Sequence, residues 1–232
     1  MNENEARSLW GVGIYGIPLA ARLTRVSSWR IRRWLCGYRF DTAHGEHQSP
    51  PVWRGDLPVL GGAHALSFRD LIEVRFVDAF LRQGVRWTEI RAAERIGAGL
   101  FRTTHPFATN RFRADGRKLF AALGQTGNAQ LLHVTRSQAV FTEIISPYLK
   151  GIEFADGGDA ARWWPLADSR RIVIDPERSF GKPIVAREGV PTHVIATAHA
   201  SGQALADVAH WYRVSLASVR AAVRYEQQLR AA

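Results

Sequence analysis

A chain of 232 residues, 46% of them apolar, can bury a sizeable core as one large domain or as two or three small ones, and no run of about 18 apolar residues marks a membrane span. The start MNENEARSLW lacks the basic and apolar regions of a signal peptide, and the lone Cys36 excludes an internal disulfide and a thiolate zinc cluster, so a cytoplasmic, reducing setting is expected. The net charge of +10 points to a polyanionic partner, although 28 arginines against 3 lysines are also what a GC-rich genome writes. The distribution of charge says more than its sum: Arg22, Arg25, Arg30, Arg32, Arg33 and Arg39 follow one another with no acidic residue between them.

Within that basic stretch, IPLAARLTRV sets Pro18 near a first helical position and Leu19, Leu23 and Val26 along one apolar face. Ser27 or Ser28 then offers an N-cap for a second helix, in which Ile31, Trp34 and Leu35 form the inward stripe. Trp29, Arg32, Arg33 and Cys36 fall on the other side, with Arg30 at the margin. Two helices of about eight residues and a three-residue turn predict a helix-turn-helix whose second helix would enter a major groove. From Phe40 to Gly61 the chain turns polar, and strand-like PPVW and LPVL around Arg54-Gly55-Asp56 predict a small hairpin, or wing. In HALSFRDLIEVRFVDAFLRQG, Ser67 and Asp70 suit a capping box, Phe68, Leu71, Ile72, Ala79 and Phe80 lie near one face, and Gly84 can close the helix. Thr88 is the expected cap of the next helix, TEIRAAERIGAG.

This order of helix, turn, helix, wing, longer helix and shorter helix resembles the MerR-type winged helix-turn-helix. The matching residues are YGIPLAARLTRVSSWRIRRWL and LSFRDLIEVRFVDAFLRQGVRWTEIRAA, from roughly Val12 to Ala98. The usual arginine-tyrosine pair of the recognition helix reads Arg33-Trp34 here, and the long coiled-coil dimerisation helix and effector domain of that family are missing. The resemblance implies a homodimer on palindromic double-stranded DNA. Ser28, Trp29, Arg30, Arg32 and Arg33 of the second helix and Arg54 of the wing would supply phosphate and base contacts.

Further on, FRADGRKLFAAL predicts a hairpin turning at Asp115-Gly116, AQLLHVT a strand, SQAVFTEIISPYL a helix, and IEFADGGDAARWWPL a hairpin with a glycine-rich turn. Trp163 and Trp164 are expected to cover this small sheet, with base stacking as the alternative. Strands IVI and PIV then flank a Pro/Gly loop. Thr192 is the expected cap of a helix ending near Gly202, and LADVAHWY and SLASVRAAVRYEQQL form a second helix-turn-helix with Ser215 as N-cap. The pattern IDP...FGKPIV...VPT...G...VA..Y.VS...V..A..YE, from about Arg171 to Leu229, is similar to the family named only as domain of unknown function 433. That resemblance implies an antitoxin of a toxin-antitoxin pair, which neutralises a PIN-like ribonuclease toxin and represses its own operon. PIN-type active sites are acidic metal sites, so Arg224 or Arg230 could take the metal's place.

No enzyme emerges from the motifs. His44 and His47 stand three apart in a Gly/Pro-rich stretch without a third ligand, Cys36 has no identifiable histidine partner and reads as a buried thiol, and no phosphate-loop or dinucleotide fingerprint is present. No cofactor, metal or catalytic residue is expected. The fold class is α+β, mainly α-helical: a winged helix-turn-helix at 12–102, a hairpin-rich middle segment at 103–168 and a helical domain at 169–232. Three rivals stay open. DNA could be read by the second helix-turn-helix, through Arg213, Arg220 and Arg224; the chain could be a scaffold or toxin inhibitor that never touches DNA; or His44 and His47 could serve a metal-dependent hydrolase.

Overall fold

The computed structural model describes residues 9–43, 45–59, 61–112, 114, 116, 147–166 and 169–231. The chain divides into two compact units, one of Gly16–Leu149 with Phe154–Ala160, the other of Met1–Tyr15, Lys150–Glu153 and Ala161–Ala232. Among the described residues, no helix is long and apolar enough to cross a membrane.

The amino-terminal unit begins with α1, Ile17–Thr24, and α2, Ser28–Cys36, joined by the three-residue turn 25–27. In α1 the buried stripe is Ile17, Ala20 and Leu23, continued by Val26, and Leu19 is only half-buried; the helix starts at Ile17, one residue before Pro18, and its inward face is set accordingly. Ser27 is the N-cap of α2, its Oγ accepting the Arg30 N–H at 3.4 Å. Ile31 and Trp34 of α2 point inward as the spacing predicts.

A hairpin follows, but not on the predicted residues. Its strands are β1, Tyr38–Thr42, and β2, Gly45–Ser49, antiparallel with Tyr38 opposite Ser49 and Phe40 opposite His47. No described residue of PPVW and LPVL lies in a strand. Pro50, Pro51 and Pro58 cannot donate to a ladder, and Val52 and Trp53 are drawn into the core instead: Val52 N–H donates to Trp34 O at 2.8 Å and Trp53 Nε1–H to Asp70 Oδ1 at 2.6 Å.

The central element is α3, Phe68–Arg82, closed by Gly84 at φ 78°. It is covered on every side, with Leu71, Ile72, Val74, Phe76, Val77 and Phe80 all buried. Phe76 and Phe80 meet Phe107 and Phe112 in edge-on contacts with centroids 5.4–6.2 Å apart, and Phe107 and Phe112 meet each other at 5.0 Å. The helix also buries three carboxylates, and each has donors. Asp70 makes the predicted capping box with Ser67 and in addition accepts Trp53 Nε1–H and His105 Nε2–H, the latter at 2.9 Å. Glu73 Oε1 accepts the backbone N–H groups of Phe107 and Ala108 at 2.9 and 3.1 Å, whereas its Oε2 has no hydrogen-bond partner among the described residues. Asp78 holds Arg30 and Arg82.

Helix α4, Trp87–Phe101, is capped not by Thr88 but by Glu89, which accepts the Arg86 N–H at 2.8 Å, because the N-cap position falls at Arg86, two residues earlier than expected. Residues 110–112, 114 and 116 are helical, so the first arm of the hairpin expected around Asp115-Gly116 is not a strand; Phe112 serves the aromatic core instead. The expected strand AQLLHVT, and the expected helix SQAVFTEIISPYL up to residue 146, lie outside the described residues; 147–149 are helical.

The hairpin of IEFADGGDAARWWPL forms as predicted from β3, Ile152–Phe154, and β4, Ala160–Trp163. In the carboxy-terminal unit Trp163 is buried and exchanges backbone hydrogen bonds with Ile174 at 2.8 and 2.9 Å. Strands β5, Ile172–Val173, and β6, Ile184–Val185, pair antiparallel. Three helices follow: α5, Thr192–Ala200; α6, Leu205–Trp211; and α7, Leu216–Arg230, which packs on α5, α6 and both strands. Ser215 caps α7 as predicted. Thr192 does not cap α5. It is the first helical residue, and its hydroxyl donates to the buried Glu226 and to Pro183 O. The FGKP turn has a steric cause: Gly181 lies at φ 80°, and a Cβ there would stand 2.1 Å from the hydroxyl of the fully buried Tyr15.

The buried carboxylates of α3 titrate in opposite senses. Burial alone would raise Asp70, but hydrogen bonds from His105, Ser67 and Trp53 hold its carboxyl below the usual range. Burial pushes Glu73 well up, beyond what its two backbone N–H donors offset. Asp70 therefore contributes stability above the ordinary carboxylate pKa, which is lost as pH falls through its depressed value. Glu73 contributes below the ordinary value and loses that contribution as pH rises through its raised one. In urea unfolding, Glu73→Gln should gain on the order of 1 kcal/mol at neutral pH, the gain vanishing in acid. Asp70→Asn should lose about 2–4 kcal/mol at neutral pH, with the gap narrowing in acid.

Candidate nucleic-acid interface

The outward face of α2 follows from its inward one. Trp34 packs on Trp87 with centroids 5.7 Å apart, and Ile31 is fully buried, so residues about 100° further round the helix face solvent. Ser28, Arg32 and Trp29 are exposed, Trp29 to 64%. Arg33 lies between two rings, its guanidinium carbon 4.2 Å from the centroid of Trp29 and 3.2 Å from that of Tyr38. A hydrogen bond from Arg33 is the main reason that the Tyr38 hydroxyl is held below the ordinary phenol range. The stack joins α2 to the first residue of the hairpin and orders a long, flexible side chain.

Arg30 behaves differently. It donates to Asp78 Oδ1 at 3.0 Å and lies 5.0 Å from the Trp34 ring, so the first of the expected contact arginines is turned back onto α3. Arg54 is exposed but stands in the loop after Trp53, outside the hairpin. The arginine the hairpin does carry is Arg39, paired with Glu46 at 3.4 Å across the strands. The base of the hairpin is held by a residue that sequence reasoning missed: Arg91 of α4 donates to Ser49 Oγ at 2.9 Å and to the carbonyls of Pro50 and Pro51. No local pattern announces it, since the partners lie about forty positions away.

The remaining candidates resolve on their surroundings. Cys36 is half-buried, a correction to the buried thiol expected from sequence; desolvation raises its pKa against the opposing charge of Arg32, which does not favour a nucleophilic thiolate. His47 stacks on Phe40 in the hairpin, and His44 lies outside the described residues. Asp56, Asp70 and His105 bring ligand atoms within 4.8 Å of one another, a grouping no sequence spacing suggested. Their lone pairs are already engaged. Asp56 receives Arg69 twice, at 2.9 and 3.1 Å, and Ser67 Oγ at 2.8 Å; Asp70 receives Trp53, His105 and the Ser67 N–H. Arginine and indole N–H groups have nothing to offer a cation. This donor set suits a structural network, not a metal.

On the carboxy-terminal unit Arg220, Arg224 and Arg230 are all exposed on α7. Arg220 and Arg224, four apart, share a face; Arg230, six beyond Arg224, projects about 120° away. Arg213 stands in the α6–α7 turn at φ 52°.

Residues 172–225, which hold β5, β6, α5, α6 and most of α7, match the family described as Protein of unknown function (DUF433). Over 205 residues the chain is 29% identical to "Putative antitoxin VapB45" of Mycobacterium tuberculosis (strain ATCC 25618 / H37Rv), spanning 81% of this chain and 83% of that protein. The fold is similar to the crystal structure of Rv2018 from Mycobacterium tuberculosis, with a TM-score of 0.72 at 24% identity over 92% of this chain and 99% of the other.

Because Asp78 is almost fully buried and receives both Arg30 and Arg82, removing its charge leaves two guanidiniums without their anion. Asp78→Asn should lower stability by about 2 kcal/mol in chemical unfolding, and Arg30→Ala should lose a comparable amount.

Proposed function

We propose that this chain is an antitoxin that also binds DNA. The amino-terminal unit acts as a MerR-like winged helix-turn-helix on operator DNA, as a homodimer on a palindrome, and the carboxy-terminal unit captures a PIN-like ribonuclease toxin in the cytoplasm. The antitoxin role is supported by the likeness to a protein named as a putative antitoxin and by the DUF433 match. The observation that carries the DNA reading is the outward face of α2, where Trp29, Arg32 and the ring-stacked Arg33 stand together beside the hairpin. Arg33 suits a bidentate contact to guanine or phosphate because its stacking has already removed much of its rotamer freedom. Ser28 and Arg32 suit the adjacent backbone, and Arg54 reaches phosphate from its loop. Arg30 enters this reading as the residue that orients α2 through Asp78.

Binding to a duplex from upstream of the gene should weaken with salt at a log–log slope of about −5 for roughly six phosphate contacts. Arg32→Ala with Arg33→Ala should cut that slope by about two and leave the melting temperature near that of the parent protein. Specific duplex binding that is absent at every salt concentration would instead favour the scaffold reading.

For the toxin, an arginine of α7 entering an acidic metal site supplies the positive charge that the site is built to hold. Replacing Arg224 and Arg230 together with alanine should relieve inhibition of the co-purifying nuclease by at least about tenfold while leaving operator affinity unchanged. Unchanged inhibition would remove those two residues from the proposed contact.

A further inference from the structure

The amino-terminal unit carries an open cavity of about 500 Å³ that neither the duplex-reading face nor the antitoxin role uses. That volume lies within the range of clefts that hold small ligands. Its lining is unusually cationic. Arg69 comes from the first turn of α3, Arg102 from the end of α4 and Arg111 from the helical residues after Thr109; Thr103 adds a hydroxyl, whereas that of Thr104 is engaged by His105 Nδ1 at 2.9 Å, and the tip of the β3–β4 hairpin brings Gly157, Gly158 and Asp159.

The three guanidiniums are not equivalent. Arg69 is fixed by two bonds to Asp56 and a longer one, 3.4 Å, to Asp159, so the carboxylate on the cavity wall already has its cation. Arg111 spends one N–H on the Phe101 carbonyl at 3.0 Å, which positions the fork while leaving its charge uncompensated by any acidic partner among the described residues. Arg102 is exposed, with no side-chain partner among the described residues. Its backbone sits at φ 55°, a conformation suited to glycine. The fork of Arg102 and the remaining donors of Arg111, in a concave site that Phe101 also lines, match the chemistry of a phosphate attached to a small organic body.

We propose that this cavity binds a phosphorylated small molecule of mononucleotide size, with Arg102 and Arg111 clamping the phosphate and Arg69, braced by Asp56, defining the far side. The inference does not depend on duplex recognition, because none of these residues belongs to α2 or to the β1–β2 hairpin.

Titration calorimetry of the full chain with inorganic phosphate, 5′-AMP and adenosine tests it. 5′-AMP should bind, phosphate should bind more weakly and compete with it, and adenosine should bind at least about tenfold more weakly than 5′-AMP, since the anion supplies the charge-assisted bonds. Arg102→Gly removes a guanidinium at a position whose left-handed backbone glycine accepts readily, so the folded state survives; the melting temperature should hold or rise while 5′-AMP affinity falls about tenfold. Arg111→Ala should produce a similar fall. The proposal is overturned if neither phosphate nor 5′-AMP binds at millimolar concentration, or if adenosine binds as well as 5′-AMP. It is equally overturned if both variants retain parental affinity, which would mean an adventitious ion only. Loss of duplex binding in Arg102→Gly with 5′-AMP binding unchanged would assign these arginines to a nucleic-acid backbone and would also overturn it.

Discussion

Asp70, Glu73 and Asp78 lie buried on a single helix, and the arrangement of the amino-terminal unit follows from what each of them must find. A carboxylate taken out of water is tolerated only where donors replace the water. Asp70 draws in the Trp53 indole, the His105 ring and the Ser67 backbone, and thereby fixes where the loop after the hairpin and the segment after α4 run. Glu73 anchors the backbone of Phe107 and Ala108, which delivers Phe107 to the aromatic core. Asp78 holds Arg30 and so sets the rotation of α2 about its own axis.

That rotation decides which arginines of the basic stretch face solvent. With Ile31 and Trp34 inward and Arg30 tied to α3, Arg32 and Arg33 are left outward beside an exposed tryptophan. The stack of Arg33 between Trp29 and Tyr38 gives that surface an order a solvated arginine lacks. An interface of this kind loses less side-chain entropy when it closes on a polyanion. The same distinction separates Arg69 from Arg102 and Arg111 at the cavity: the first is spent on two carboxylates, whereas the other two have no acidic partner among the described residues.

The carboxy-terminal unit obeys a different constraint, close approach around one ring. Tyr15 is cradled by Gly13 and Gly181, and any side chain at either glycine would meet it. Asp175 begins the same loop by accepting the Glu177 N–H at 3.0 Å and Arg162 Nε–H at 2.9 Å. The motif IDP...FGKPIV is thus a turn whose shape is dictated by a residue far upstream in the chain. In the same unit Glu226 of α7 receives the hydroxyl of Thr192 at the start of α5, an interior bond between the two helices.

What the amino-acid order determined alone was local: the α2 stripe, the Ser67–Asp70 capping box, the Ser215 cap, the β3–β4 hairpin and the strands in IVI and PIV. Each is governed by periodicity or by a cap within a few residues, where chain connectivity already restricts the options. Only the tertiary structure decided the rest. The hairpin settled on 38–49 because Val52 and Trp53 found partners in α2 and α3, and residues 112 and 114 of the expected hairpin's first arm became helical where Phe112 joined the aromatic core. Arg30 turned inward to an aspartate 48 positions away, and Arg91 clamped a hairpin some forty positions away. Charge and hydrogen-bonding partners at such separations leave no periodic trace in a sequence, because the distance between them is set by packing and not by the chain.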